Sequence, residues 1–203
     1  ANCHLDGGTR KDGLPLNVAG LYPTWRAKNR KSNDLALRIK ECFFYSQNGI
    51  MPSNDAPELQ AIASYIHYLS DGQTIGVPPP GRGVPTLPVT GRDPNPFDGR
   101  VVFQKKCASC HIETGKGHAN VPPLWGPLSY NRGAGMNQIA KSAGFIWANM
   151  PLEQGKTLTH QEAFDVAAFL NQQPRPADPR EGKLSLLFQR VLPRKFAEAL
   201  SAQ

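Results

Sequence analysis

Two stretches of the chain share one apolar rhythm. Ile62, Ile66 and Leu69 recur at the i, i+4, i+7 spacing of a single helix face, and Ala163, Ala167 and Leu170 repeat that spacing at a constant offset. Each stretch closes a similar succession of elements. In the first, a loop with Gly7-Gly8 and a proline-containing stretch to Pro23 lead to a basic helix predicted over Asp34–Gln47. Met51-Pro52 and a helix over Pro57–Leu69 follow. In the second, Gly115, Gly117 and the Pro122-Pro123 loop lead to a helix predicted over Met136–Asn149, then Met150-Pro151, then a helix over His160–Asn171. A further amphipathic helix is predicted over Val101–Lys106, opened by Asp98 as N-cap.

The pattern predicts an all-α chain of two related units, residues 1–75 and 97–176. The Pro/Gly-rich stretch between them, 76–96, reads as an extended and fairly stiff linker. A length of 203 residues suits two small domains. After Pro176 comes a tail, 177–203, in which Leu186, Leu187, Val191 and Leu192 lie between basic residues and Pro193 breaks or kinks the run. It reads either as a segment packed over one unit or as one that docks on a partner or a membrane surface. No apolar run approaches the roughly 18 residues of a membrane span, so no transmembrane segment is expected.

Charge narrows the partners. The formal net charge is +7, which suits anionic ligands. The Lys and Arg residues are not interleaved with a nucleic-acid motif, so no nucleic-acid partner is expected.

Chemistry is concentrated in Cys107-Ala108-Ser109-Cys110-His111. Two thiols and an imidazole at C-x-x-C-H spacing are what covalent c-type haem attachment needs. Cys107 and Cys110 form thioethers, and His111 is aimed at the iron as proximal ligand. A zinc site would need further Cys or His at matching spacing, and none follows nearby. The chain opens Ala1-Asn2-Cys3-His4, which reads as the end of a second such motif whose leading cysteine falls one position upstream. The alternative is a haem held by Cys3 alone. Two covalently bound haem c groups are therefore expected. Haem attachment of this type takes place outside the cytoplasm, so an exported, periplasmic protein with its signal peptide removed is expected.

The distal ligands differ between the units. Met150 is the distal candidate opposite His111, because a thioether after a haem-facing helix is the ordinary low-spin arrangement, and Met136 reads as packing. Opposite His4 there are three candidates: Met51 at the repeat position, Cys42 between the basic helix and two phenylalanines, and His67. Cys42 is either a core cysteine or an iron thiolate that also supplies a sulfur nucleophile. From Arg10 to Lys40 there are eight Lys or Arg against two Asp. Arg38 and Ser46 lie one turn to either side of Cys42 and share its face, a place for a small dianion.

Several segments resemble the dihaem thiosulfate dehydrogenases, which couple two thiosulfates into tetrathionate. These are CHLDGG at Cys3 to Gly8, YPTWRAKN at Tyr22 to Asn29, and LRIKECFFYSQNG at Leu37 to Gly49. PPLWGPLSYNRGAGM at Pro122 to Met136, FIWANMP at Phe145 to Pro151 and QPRP at Gln173 to Pro176 extend the match over nearly the whole chain. The resemblance implies two cytochrome c-like domains, with His4 and Cys42 on the first haem and His111 and Met150 on the second. It implies thiosulfate near Cys42, held by Arg38 and Ser46 with Arg26 or Lys28. The sulfane sulfur joins Cys42, and a second thiosulfate releases tetrathionate. Electrons leave by the His111 haem to a small cytochrome or redox complex, and the same residues would serve a tetrathionate reductase. Two other readings are a non-catalytic dihaem subunit, favoured if Met51 is the ligand and the tail a docking segment, and a SoxA-type sulfur-oxidation cytochrome. The latter lacks support from the segment Trp125 to Met136.

Overall fold

The computed structural model describes residues 3–118 and 120–181. Of the expected tail only residues 177–181 fall within it, and the apolar run from Leu184 onward lies outside the described residues.

Helices dominate, with one departure from the all-α expectation. Thr24–Arg26 (β1) and Lys31–Asn33 (β2) pair antiparallel, Trp25 opposite Ser32, around a turn in which Arg30 takes a left-handed φ of 53°. The sequence there is polar and basic, so its short pairing carries no alternation of apolar residues that periodicity could register. Helix α1 follows at Leu35–Glu41, started by Asp34, whose carboxylate accepts from the Leu37 amide at 2.7 Å. The expected helix to Gln47 does not continue as α. From Cys42 to Ser46 the backbone widens into a π-helix, closed by a bond from the Gln47 amide to the Cys42 carbonyl at 3.0 Å. Helix α2 spans Pro57–Leu69, as expected.

In the second half, α3 runs Pro96–Lys106 and starts earlier than Val101. Its cap is Asn95, which accepts from the Phe97 amide at 2.9 Å, and not Asp98, which sits in the first turn. The shift has a simple cause: Pro96 lacks an N–H and presets helical φ, so it takes the first helical position. Ala108–His111 form the short α4, Ile139–Asn149 form α5, and His160–Gln172 form α6. The expected helix from Met136 is split, because Gly135–Asn137 make a separate 3-10 turn before α5. Helix α6 opens with a capping box, Thr159 and Glu162 each satisfying the other's backbone amide.

The apolar repeat builds two cores. Ile39, Leu59 and Ile66 pack with Ala19 and Ala56 in the first. In the second, Phe103, Ile146, Val166 and Leu170 pack with Ala143, Ala163 and Ala167. Small residues let the helices of the second core approach closely. A Cβ on Gly99 of α3 would lie 1.9 Å from the Asp165 carbonyl oxygen of α6, so the crossing requires glycine. The stretch 76–96 is seated, not free. The Gly81 and Gly83 carbonyls accept from the Asp12 and Leu14 amides at 2.9 and 3.1 Å, and Leu87 is buried in the second core. Among the described residues no helix is long and apolar enough to cross a membrane.

Candidate functional site

The first cluster gathers around the end of α1. Arg38 and Cys42, four residues apart, lie on one helix face, and the Arg38 guanidinium donates to the Cys42 sulfur at 3.1 Å. Burial works against the Arg38 charge, but Cys42, Tyr22 and Glu41 more than offset it and raise its pKa. His4 enters from the chain's beginning. Its Nδ1 donates to the Leu14 carbonyl at 2.6 Å, which fixes the tautomer and leaves Nε2 as the lone-pair nitrogen. Burial, opposed by the Leu14 carbonyl and assisted by Arg38, lowers the His4 pKa and keeps the ring neutral, as a ligand must be. Cys3 belongs to the same cluster: burial, and then the proximity of Cys42, raise its thiol pKa.

The expected cations divide into three roles. Arg26 is committed to an ion pair with Glu41 at 3.1 Å; that carboxylate is only 3% exposed and also accepts from Asn29 at 2.8 Å. Lys28 lies over the Tyr45 ring, 4.3 Å from its centroid, and donates to the Gly133 carbonyl. Burial, and then repulsion from Arg180, Arg26 and Arg38, push Lys28 down to about 8 against the pull of Glu41. Arg38 alone touches the sulfur among these three, and Ser46 is exposed at the end of the π-helix. Met51 is 37% exposed, and His67 is exposed on α2.

The second cluster surrounds α4. Cys107 precedes its first residue, Cys110 and His111 lie within it, and Met150 follows α5 and packs against the same core as Cys107. Phe103, Trp125 and Phe169 make an aromatic wall, with ring centroids 5.3 to 5.9 Å apart. Gly115, at φ +60°, admits Trp125, since a Cβ there would fall 2.3 Å from the indole. His111 Nδ1 is buried without a well-formed hydrogen bond, although the Pro122 carbonyl approaches closely enough to oppose the pKa lowering that burial imposes. Met136 sits in its 3-10 turn, where its carbonyl accepts from the Tyr130 hydroxyl at 3.4 Å.

Both clusters fit a haem c. Each offers thiol sulfur for attachment, a neutral imidazole, and a soft sulfur in the same neighbourhood, and all four cysteines are free of disulfides. Among the described residues no group of three or more His, Cys, Asp or Glu could hold a bare metal ion.

Other residues of the site have no counterpart in the sequence reading. Glu41, Tyr22, Tyr45 and Asn131 all contribute contacts, and Arg180 reaches the Lys28 carbonyl at 3.3 Å from the segment after Pro176. A charged residue at a core position of α1 was the available signal for Glu41. Asn131 lies in a matched segment, but nothing local marks its role.

Residues 94–170 match the family described as Cytochrome C oxidase, cbb3-type, subunit III. A thiosulfate dehydrogenase from Thiomonas intermedia (strain K12) is 43% identical over 185 residues, covering 88% of this chain and 59% of the relative. One from Allochromatium vinosum is 39% identical over 186 residues, covering 86% of this chain and 68% of the relative. The solved thiosulfate dehydrogenase (TsdBA) from Marichromatium purpuratum, in its as-isolated form, superposes with a TM-score of 0.88 at 39% identity, covering 94% of this chain and 43% of that one. The chain thus spans about three-fifths of the length of the Thiomonas relative. Similarity of this extent in sequence and in three dimensions, over a fold with two clusters suited to haem c, means that the chain belongs to the thiosulfate dehydrogenase family.

Proposed function

We propose that this protein is a periplasmic dihaem cytochrome c that oxidises two thiosulfates to tetrathionate. Its two cores are two cytochrome c-like domains, 1–75 and 97–176, bridged by 76–96. His4 and Cys42 hold the first haem, through Cys3, and His111 and Met150 hold the second, through Cys107 and Cys110. The observation that carries the reading is the Arg38–Cys42 contact at 3.1 Å, a guanidinium on a half-buried sulfur, near an imidazole whose Nδ1 is held by the Leu14 carbonyl. Met51, more than a third exposed, is the poorer distal candidate.

When bound, the haems supply iron centres that take up one electron each. The residues do the rest. Arg38 and Ser46 hold the sulfonate oxygens of a first thiosulfate while its sulfane sulfur forms an S–S bond with the Cys42 thiolate, a step that releases two electrons. A second thiosulfate attacks that sulfane sulfur, the Cys42 thiolate leaves, and tetrathionate departs with no further electron or proton exchanged. A thiosulfate dianion must approach the bound sulfonate anion in this step, so positive potential in a partly desolvated site lowers its barrier. Arg26 and Lys28, fixed by Glu41 and Gly133, contribute that potential. The electrons pass to a small cytochrome or redox complex.

Spectra of the purified full chain, with and without thiosulfate, test the reading. A thiolate/His signal beside a thioether/His signal is expected, with haem reduction on adding thiosulfate. Two thioether/His haems that thiosulfate leaves oxidised would instead identify an electron-transfer subunit. Cys42→Gly should abolish turnover while the His111 haem still accepts electrons from a chemical reductant; undiminished thiosulfate oxidation would remove Cys42 from the chemistry.

A further inference from the structure

We propose that Asn131, supplied by the second half of the chain, is a positioning residue that holds the π-helical turn presenting Cys42, so that the ligand set of the first haem is completed from across the molecule. This inference rests on the reading of Cys42 as an iron ligand.

A π-helical turn widens the backbone ring and redirects its carbonyls. Within Cys42–Ser46, two carbonyls are satisfied from just downstream: Cys42 by the Gln47 amide at 3.0 Å, and Phe43 by the Gly49 amide at 2.8 Å. The next two face a loop more than eighty residues away. The Asn131 side-chain amide donates to the Phe44 carbonyl at 2.7 Å, and the Asn131 backbone amide donates to the Tyr45 carbonyl at 3.1 Å. The same side chain donates to Asn48 Oδ1 at 3.2 Å and accepts from the Gly133 amide at 3.0 Å, and Asn131 is 1% exposed. Its hydrogen bonds thus tie together both ends of the contact in a place that water does not reach.

The loop also fits closely. A Cβ on Gly133 would lie 2.6 Å from the Tyr45 ring, and the Gly133 carbonyl accepts from Lys28. The loop is therefore seated on the turn by contact as well as by hydrogen bonds. A buried carbonyl left without a donor costs enough to shift a local equilibrium by about ten- to a hundredfold. Without the Asn131 side-chain amide, the Phe44 carbonyl recovers a partner most easily by rewinding the turn. Rewinding rotates Cys42 relative to Arg38 and His4.

The test compares Asn131→Ala, Asn131→Asp and Gly133→Ala with the unmodified full chain, each loaded with haem. Asn131→Asp keeps the shape but cannot donate from its side chain. Gly133→Ala displaces the loop through a different contact and keeps Asn131. All three are expected to lose most of the thiolate signature of the first haem, to raise the midpoint potential of that haem alone, and to lower thiosulfate turnover about tenfold or more. The second haem's spectrum and potential should not move. Asn95→Ala, which removes the α3 cap, serves as a destabilised control and should keep the thiolate signature. Retention of that signature and potential in both Asn131 variants would overturn the proposal while leaving Cys42 as a ligand. Loss of it in Asn95→Ala as well would overturn the proposal by marking the change as general destabilisation. Absence of the signature in the unmodified chain would overturn the ligand reading itself, and this inference with it.

Discussion

A single lysine reports on the electrostatics of the site. Lys28 is half-buried, crowded by Arg26, Arg38 and Arg180, and pushed down to about 8, so it sheds its charge within an accessible range of pH. Its ordinary value is 10.5, so the unfolded chain keeps this proton where the folded one has lost it. Folding stability from this group therefore rises as pH climbs from about 8 toward 10.5. Affinity runs the other way. On the proposed function, thiosulfate KM is expected to rise about three- to fivefold as pH passes from about 7 to 9. Lys28→Arg, which keeps its charge, should flatten that profile; an unchanged profile in that variant would assign the titration elsewhere. Arg38 differs in kind, because its guanidinium is raised by Cys42, Tyr22 and Glu41 and stays charged throughout this range.

Among the helices, the crossing of α3 and α6 carries the most in the second core. Gly99 allows the α3 backbone to approach the Asp165 carbonyl oxygen. Burial pushes the Asp165 carboxyl up, but donation from Arg92 at 2.7 Å, the Asn95 amide at 2.7 Å and Gln161 at 2.9 Å outweighs it and holds the carboxyl below its ordinary value. One residue thus fixes both the start of α3 and its packing on α6. Gly99→Ala should cost about 1–3 kcal/mol through overpacking, seen as a lower thermal midpoint with the C-x-x-C-H haem as the probe. A midpoint equal to that of the unmodified protein would show that the helices can part at no cost. The first core has its own local device. Asp34 starts α1, and in the π-helix that follows the Phe44 and Tyr45 carbonyls accept from Asn131 of the other half.

Over the whole molecule, the proline-rich stretch is a seam. Its Gly81 and Gly83 carbonyls bind the loop after His4, and its Pro85 carbonyl lies where a Cβ on Gly144 of α5 would stand at 2.2 Å. Asn149 adds a bond to the Asp12 carbonyl at 2.9 Å, and Arg10 an ion pair with Glu153 at 2.7 Å. The exposed ion pair contributes little, about 0–1 kcal/mol, so the seam depends on backbone fit. Gly144→Ala is expected to lift the stretch from α5, open residues 76–96 to limited proteolysis, and separate the unfolding of the two cores in denaturant. Cleavage no faster than in the unmodified protein would mean that the stretch is not held there.

The sequence by itself determined whatever depends on local spacing. The apolar repeat defined α2 and α6, because helical periodicity is carried by neighbours a turn apart, and C-x-x-C-H spacing brought Cys107, Cys110 and His111 to one short helix and its start. Arg38 and Cys42 were legible as a pair for the same reason, being one turn apart on α1. Tertiary structure decided what depends on residues far apart in the chain. The polar hairpin carries no apolar signal, the widened turn after α1 meets Asn131 from the other half, and Arg26 and Lys28 are drawn to Glu41, Tyr45 and Gly133. Spacing could place cations near a sulfur. Only packing decided which of them touches it, because a buried carboxylate or carbonyl claims a donor wherever the chain brings one within reach.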